Sequence, residues 1–274
     1  MGPTVSPQST LVVLSLVGLA LSAGIYGRVA RGLRQDGGQV RAGGFSSPDL
    51  VVGLLLATLF GALVALSVAR PEPAPQITVG GVLASSMTFG SIIFALAGYL
   101  VYRGFGMVET FGLSRVSPRR VVGSAVILLI GAFPLVALAS TALEPWMKDD
   151  ASEQELVQLF RSAAGRGDSG MMFAVFFAGV VMAPICEELL FRGYFYAVGK
   201  RFAGPWISAF GTAAIFAAFH GNLVSFPGLM VLALALTAAY EHTGSLAVPI
   251  TMHALFNGTS LTILYLQATG RLSA

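Results

Sequence analysis

Three short motifs in the C-terminal part of the chain combine residue types that can hydrolyse a carbonyl compound. They contain acids, histidines and an amide at four-residue spacing, and they read Glu187-Glu188-x-x-x-Arg192, Phe216-x-x-x-His220 and His253-x-x-x-Asn257. A carboxylate can take a proton from water, and a histidine can help to hold that water. A histidine and an amide can donate hydrogen bonds to the oxyanion of a tetrahedral intermediate. Together the motifs indicate hydrolysis.

The spacing within the motifs predicts which side chains meet. Residues four apart share one face of a helix, so Glu188 and Arg192 are predicted to pair. For the same reason His253 and Asn257 are predicted to face together. Glu187 points about 100° away from its neighbour Glu188, which leaves it free to act as the base. No Gly-x-Ser-x-Gly or His-Glu-x-x-His motif offers a different reaction centre.

The composition of the 274-residue chain is that of a membrane protein. Hydrophobic residues make up 55% and charged residues 11%, whereas a soluble domain carries about 25% charged residues. A membrane-spanning helix needs about 20 mostly apolar residues. Apolar stretches of that length predict eight transmembrane helices, which lie before Arg28, from Asp49 to Arg70, from Glu72 to Arg103, from Arg120 to Glu144, from Asp168 to about Gly199, twice between Arg201 and Glu241, and from about Ser245 to Gln267. We expect a single all-α polytopic membrane domain over residues 1–274.

Within this domain the sequence predicts two groups of four helices. Helices 1–4 fall in residues 1–143 and the motif-bearing helices 5–8 in residues 169–274. The connecting loop, residues 144–168, carries a capping-box pattern at Ser152 and Glu155 that predicts a short surface helix, which we expect to be a simple connection. Pro184 is predicted to loosen helix 5 shortly before the first motif.

Basic residues predict the orientation of the chain. Eleven of the 16 lie on one side of the predicted bundle, and they are Arg28, Arg31, Arg34, Arg41, Arg103, Arg115, Arg119, Arg120, Arg192, Lys200 and Arg201. Loops rich in Lys and Arg stay in the cytoplasm. We therefore expect both termini and the loop 144–168 to lie outside.

The predicted helix ends bring the motifs to a similar depth. Measured from the cytoplasmic ends at 1.5 Å per residue, Glu187 lies about 18 Å deep and His220 about 21 Å deep. His253 and Asn257 lie at about 12 and 18 Å by the same measure. Ionisable residues within a membrane are costly and usually functional, so we expect one buried site.

The ordered set of motifs resembles the CPBP family, which comprises the type II CAAX prenyl proteases and the bacterial Abi proteases. The resemblance covers about residues 170–266 and implies an all-helical intramembrane endopeptidase of a bacterial plasma membrane. It implies that Glu187 activates water with His220, and that His253 and Asn257 stabilise the oxyanion. Supporting roles fall to the motif residues Glu188, Arg192 and Phe216.

The resemblance also bears on cofactors and partners. A carboxylate mechanism without a cofactor is favoured, and the alternative is Zn²⁺ held by Glu187, His220 and His253. The expected partners are the lipid bilayer and a membrane-associated protein or peptide, with no nucleic acid. The family allows CAAX-type prenylated C-termini, leader peptides and C-terminal tails as substrates, and the sequence does not choose between them or fix the oligomeric state.

Two other functions fit the same polar groups. An ion-coupled transporter could use them as a proton relay, although the chain has no internal repeat of the kind that many transporters show. A non-catalytic membrane scaffold is the second alternative. The intact set of Glu187, His220 and His253 argues against the scaffold.

Overall fold

The computed structural model describes residues 7–68, 77–143 and 155–272. Within these ranges the chain is helical and contains no strand. The helices are α1 Pro7–Asp36, α2 Ser47–Val68, α3 Val79–Tyr102, the single turn α4 Met107–Thr110, α5 Pro118–Ser140, α6 Glu155–Arg166, α7 Ser169–Ala203, α8 Pro205–Phe219, α9 Phe226–Thr243 and α10 Ala247–Ala268. The predicted all-α class is confirmed.

Five helices of the described chain are long and apolar enough to cross a membrane. They are Val12–Asp36, Ser47–Leu66, Val79–Tyr102, Pro118–Ser140 and Ser169–Ala203. The other three predicted crossings correspond to α8, which is apolar but only 15 residues long, and to α9 and α10, which carry polar motif and boundary residues. The polytopic class is therefore confirmed, and the count of eight stays a prediction.

Contacts between distant loops gather the Arg-rich segments at one end of the bundle. The backbone N–H of Gln39 donates to Glu241 O at 2.8 Å, and Arg115 donates to Gln39 O at 3.1 Å. Lys200 Nζ donates to Val40 O at 3.0 Å. We call this the basic end, formed by residues 28–46, 103–120, 200–204 and 241–246. The opposite end contains the start of α3, the end of α5, α6 and the end of α10.

Two acids that bound the predicted spans are buried at the basic end. Asp49 is 0% exposed and accepts hydrogen bonds from Ser46, Tyr99 and Arg103. Glu241 is 5% exposed and accepts hydrogen bonds from Tyr196, Lys200 and the backbone N–H of Val40. Each carboxylate is stabilised inside the protein because hydrogen-bond donors satisfy it.

Helix α7 changes its winding around the first motif. Two π-helical stretches, Phe177–Met182 and Leu189–Tyr196, flank the α-helical turn Ala183–Glu188. Pro184 lies in that turn, as expected of a residue that lacks a backbone donor and disturbs the helical ladder. The predicted loosening of this helix is confirmed. The helix ends at Ala203 rather than near Gly199, and Gly204 follows with a positive φ of 83°.

Candidate functional site

One cavity of about 590 Å³ gathers the four side chains for which sequence analysis predicts catalytic roles. Glu187 comes from α7, His220 from the end of α8, and His253 and Asn257 from α10. The remaining lining residues are mostly aliphatic or small and belong to α5, α6, α7, α9 and α10. Ionisable groups that converge in an otherwise apolar cavity are typical of an active site.

The π-helical stretch in α7 explains how Asn257 is held. The N–H of Ala183 donates to Ala178 O, five residues earlier. The same register would pair Gly179 O with position 184, where proline has no N–H. Asn257 Nδ2 donates to Gly179 O instead, at 2.7 Å. The proline thus leaves a carbonyl free, and that carbonyl orients the amide at the cavity wall.

Glu188 is held by two positively polarised partners. Its Oε1 accepts from Arg192 Nη1 at 2.7 Å and from His253 Nδ1 at 2.9 Å. Glu188 is 0% exposed and Arg192 is 2% exposed, and Arg192 also donates to Ala233 O at 3.1 Å. The predicted pairing with Arg192 is present. The bond to His253 joins residues 65 positions apart, so no local spacing could indicate it.

Both acids have a buried Oε2 without a hydrogen-bond partner among the described residues, but only Glu187 lines the cavity. Its Oε2 is buried, accepts no hydrogen bond from the described residues and lies 3.9 Å from His253 Nε2. The side chain lines the cavity. A buried carboxylate oxygen without a protein partner can accept hydrogen bonds from water. Of the two acids, Glu187 is the one that can meet a water molecule in the cavity.

His220 occupies the C-terminal cap of α8. Its Nδ1 lies 2.8 Å from Phe216 O. A carbonyl only accepts hydrogen bonds, so Nδ1 carries the hydrogen and Nε2 is the acceptor in the neutral ring. The same reasoning assigns a hydrogen to His253 Nδ1, because a carboxylate oxygen accepts hydrogen bonds. Nδ1 is therefore assigned as the hydrogen-bond donor in both rings.

Phe216 packs between the charged and polar groups of the site. Its ring centroid lies 4.8 Å from that of His220 and 5.9 Å from that of His253. The Arg192 guanidinium carbon lies 4.6 Å from the centre of the same ring. A cation near an aromatic face is stabilised. The supporting role predicted for Phe216 is therefore matched by contacts to three other motif residues.

The surface helix α6 is more than a connection between two spans. Its Leu156 and Val157 line the cavity, while Phe160 and Ala163 are buried against the bundle. The prediction of a simple connection was therefore incomplete, because the apolar face of α6 covers the site. The amphipathic spacing was visible in the sequence, but its docking partner was not. Ser152, the predicted N-cap, lies outside the described residues.

The zinc alternative requires Glu187, His220 and His253 to converge as ligands. Among the described residues, no group of three or more His, Cys, Asp or Glu side chains is arranged to hold a metal ion. His253 Nδ1 is engaged by Glu188 and His220 Nδ1 by Phe216 O. These bonds leave Nε2 of both rings available, so the zinc alternative stays a prediction.

Comparison with known proteins supports the resemblance that the motifs indicate. The family model "Rce1-like: Type II CAAX prenyl endopeptidase Rce1-like" matches residues 169–259, which include all three motifs. No curated protein and no solved structure matches the chain. The match, together with the all-helical apolar bundle, supports an integral membrane protein of the protease class. Residues 169–259 are therefore similar to the Rce1-like family of type II CAAX prenyl endopeptidases, in agreement with the resemblance that the three motifs indicate.

Proposed function

We propose that this protein is an intramembrane endopeptidase in which Glu187 activates the attacking water. The observation that carries the proposal is the difference between the two adjacent acids. Glu188 is fully buried and its Oε1 is engaged by Arg192 and His253, whereas the Glu187 side chain lines the cavity. A general base must reach its water directly, and only Glu187 has that access.

His220 supplies a second hydrogen-bond acceptor for the attacking water. Its Nδ1–H is held by Phe216 O, so Nε2 of the neutral ring is an acceptor for a hydrogen of the same water molecule. The cavity is lined by both Glu187 and His220. Two acceptors that share one water polarise it and fix its orientation before attack. His220 thereby acts as the partner of Glu187.

His253 and Asn257 are placed to stabilise the oxyanion. Asn257 Nδ2 uses one hydrogen for Gly179 O and has a second one to donate. His253 donates from Nδ1 to Glu188, so Nε2 can donate only when the ring carries both protons. The two ring nitrogens lie 2.9 Å from Glu188 Oε1 and 3.9 Å from Glu187 Oε2.

The reaction follows from these roles. The water oxygen attacks the peptide carbonyl carbon while one of its protons moves to the Glu187 carboxylate. Negative charge develops on the carbonyl oxygen, where His253 and Asn257 donate to it. The proton then passes from Glu187 to the leaving nitrogen as the C–N bond breaks. The products are a carboxylic acid and an amine, the acid proton passes to the amine, and Glu187 is again ionised.

The substrate should be visible in the membrane proteome. In a strain that carries Glu187→Gln, we expect a small set of membrane-associated proteins to accumulate in a longer form than in the wild-type strain. The matched control is His242→Gln, because His242 is exposed at the basic end and lies outside the cavity. Quantitative proteomics of terminal peptides measures the difference. Identical terminal peptides in all three strains would contradict a protease function.

A carboxylate mechanism predicts independence from metal. Purified protein should cleave its substrate at an unchanged rate in excess chelator, because Glu187 takes the proton directly. The measurement is turnover with and without chelator, together with the metal content of the protein. Loss of turnover that stoichiometric zinc restores would instead make Glu187, His220 and His253 metal ligands.

A further inference from the structure

Two hydrogen bonds join α7 directly to α10 in the described chain. Asn257 donates to Gly179 O, and His253 donates to Glu188 Oε1. The two helices run in opposite directions along these bonds, since the later residue of α7 meets the earlier residue of α10. The next level toward the basic end therefore lies after Glu188 on α7 and before His253 on α10. Because packed interiors transmit displacements, the spacing of the helices at that level affects how Glu188 and His253 meet.

Phe111 contacts both helices at that level, and it belongs to the other half of the chain. It follows the single turn α4 and is 1% exposed. Its carbonyl oxygen accepts from the N–H of Leu246, directly before α10, at 2.9 Å. Its ring packs on the backbone of α7, because a Cβ added at Gly193 would lie 2.8 Å from Phe111 Cε1. A residue outside the family match at residues 169–259 thus touches both helices that carry the site.

The two attachment points of Phe111 lie close to the buried polar pair. Gly193 directly follows Arg192, which donates to Glu188 Oε1 at 2.7 Å. On the other helix, the attachment point precedes His253 by seven residues, which is two turns or about 10 Å along the axis. The bond between His253 and Glu188 is 2.9 Å long, and hydrogen bonds of this kind weaken beyond about 3.2 Å. A small displacement of either helix therefore weakens it.

The turn that carries Phe111 is itself fixed in place. Gly112 and Gly244 adopt positive φ values of 62° and 64°, and a Cβ added at Gly112 would collide with Gly244 O. Glycine adopts this backbone conformation without strain, which lets the two segments meet. Arg115 then donates to Gln39 O at 3.1 Å. The ring of Phe111 is therefore a fixed spacer, not a side chain on a free loop.

We propose that Phe111 is a positioning residue of the catalytic site, which sets the spacing of α7 and α10 and thereby the bond between Glu188 and His253. That bond fixes the ring of His253, one of the two donors proposed for the oxyanion. The proposal rests on the proposed endopeptidase function for its effect on turnover, but not for its effect on the bond. It gives the segment between α3 and α5 a part in catalysis.

Two substitutions that meet at one contact test the effect on turnover. Phe111→Leu removes Cε1 and keeps the side chain apolar, whereas Gly193→Ala places a methyl group against the ring. Each should lower kcat by about 10- to 100-fold with little change in KM, because a catalytic group is misplaced while substrate binding is kept. The double variant should recover part of kcat, since the atom that meets the new methyl group is gone.

The matched control is Phe45→Leu at the same end of the bundle. Phe45 is 3% exposed, and its ring meets those of Phe105 and Tyr194. Its replacement should lower the melting temperature but leave kcat at the wild-type value. Unchanged kcat in Phe111→Leu and Gly193→Ala, an equal loss of kcat in Phe45→Leu, or losses that simply add in the double variant would overturn the proposal.

A measurement on the bond itself separates positioning from chemistry. In protein with isotope-labelled histidine, the hydrogen on His253 Nδ1 should give an NMR signal protected from exchange with water, and His253→Gln assigns it. The signal should persist in Phe45→Leu, weaken in Phe111→Leu and Gly193→Ala, and return in the double variant of the last two. An unchanged signal in both single variants overturns the proposal. The expected pattern in a wild-type protein that cleaves no peptide supports the positioning role and contradicts the endopeptidase function.

Discussion

Replacing Glu187 with Gln is expected to lower turnover by about 100- to 10,000-fold, the usual cost of removing a general base. The amide keeps the shape of the side chain but cannot take a proton from water. The protein should stay folded in the membrane, because Glu187 Oε2 makes no hydrogen bond to the described residues. Turnover and melting temperature of the purified variant measure the two effects separately.

The matched control is Glu188→Gln, one position along the same helix. Its side chain is completely buried and engaged by Arg192 and His253, so it should contribute to catalysis by holding His253 rather than by taking the proton. We expect a smaller loss of turnover than in Glu187→Gln and a larger loss of thermal stability. Full activity in Glu187→Gln with none in Glu188→Gln would show that the two roles are reversed.

Breaking the buried ion pair is expected to have the largest effect on stability. Arg192→Gln leaves the Glu188 carboxylate in a site with no exposure to water, and an uncompensated buried charge costs about 3–5 kcal/mol. Glu188→Gln leaves Arg192 with its bond to Ala233 O and its contact with Phe216. Both single variants should unfold at lower temperature than the wild type.

The double variant Glu188→Gln with Arg192→Gln should recover part of that stability. Both charges are then removed together, and replacing a whole buried ion pair is often close to neutral. Melting temperatures of the two single variants and the double variant form a double-mutant cycle. Purely additive losses in the cycle would show that Glu188 and Arg192 do not stabilise each other.

Local spacing was sufficient to predict the pairs that lie on one helix. Glu188 and Arg192 are four residues apart and are paired in the structure. The end of α7 was less predictable. The helix continues through Gly199 to Ala203 and ends where Gly204 adopts a positive φ. Lys200 lies in the last turn, where a basic side chain complements the helix dipole.

Contacts between remote segments could not be predicted in this way. Val40 and Glu241 are 201 positions apart, and their hydrogen bond joins two segments of the basic end. The bond from Asn257 to Gly179 depends on a carbonyl that the π-helical stretch and Pro184 leave without a partner. Periodicity places each residue on a face of its own helix, whereas these contacts depend on how the helices pack against each other.

The early end of α8 has a consequence for how such a protein can evolve. At 15 residues, the helix is about 22 Å long, shorter than the hydrocarbon core of about 30 Å. Backbone groups at an interrupted helix are tolerated at this depth only beside protein or water. The backbone at the early end of α8 therefore needs polar partners from protein or water, whichever side chains line the cavity. A descendant that lost Glu187 would keep the interrupted helix and the cavity beside it, so a change from protease to peptide receptor requires no new fold.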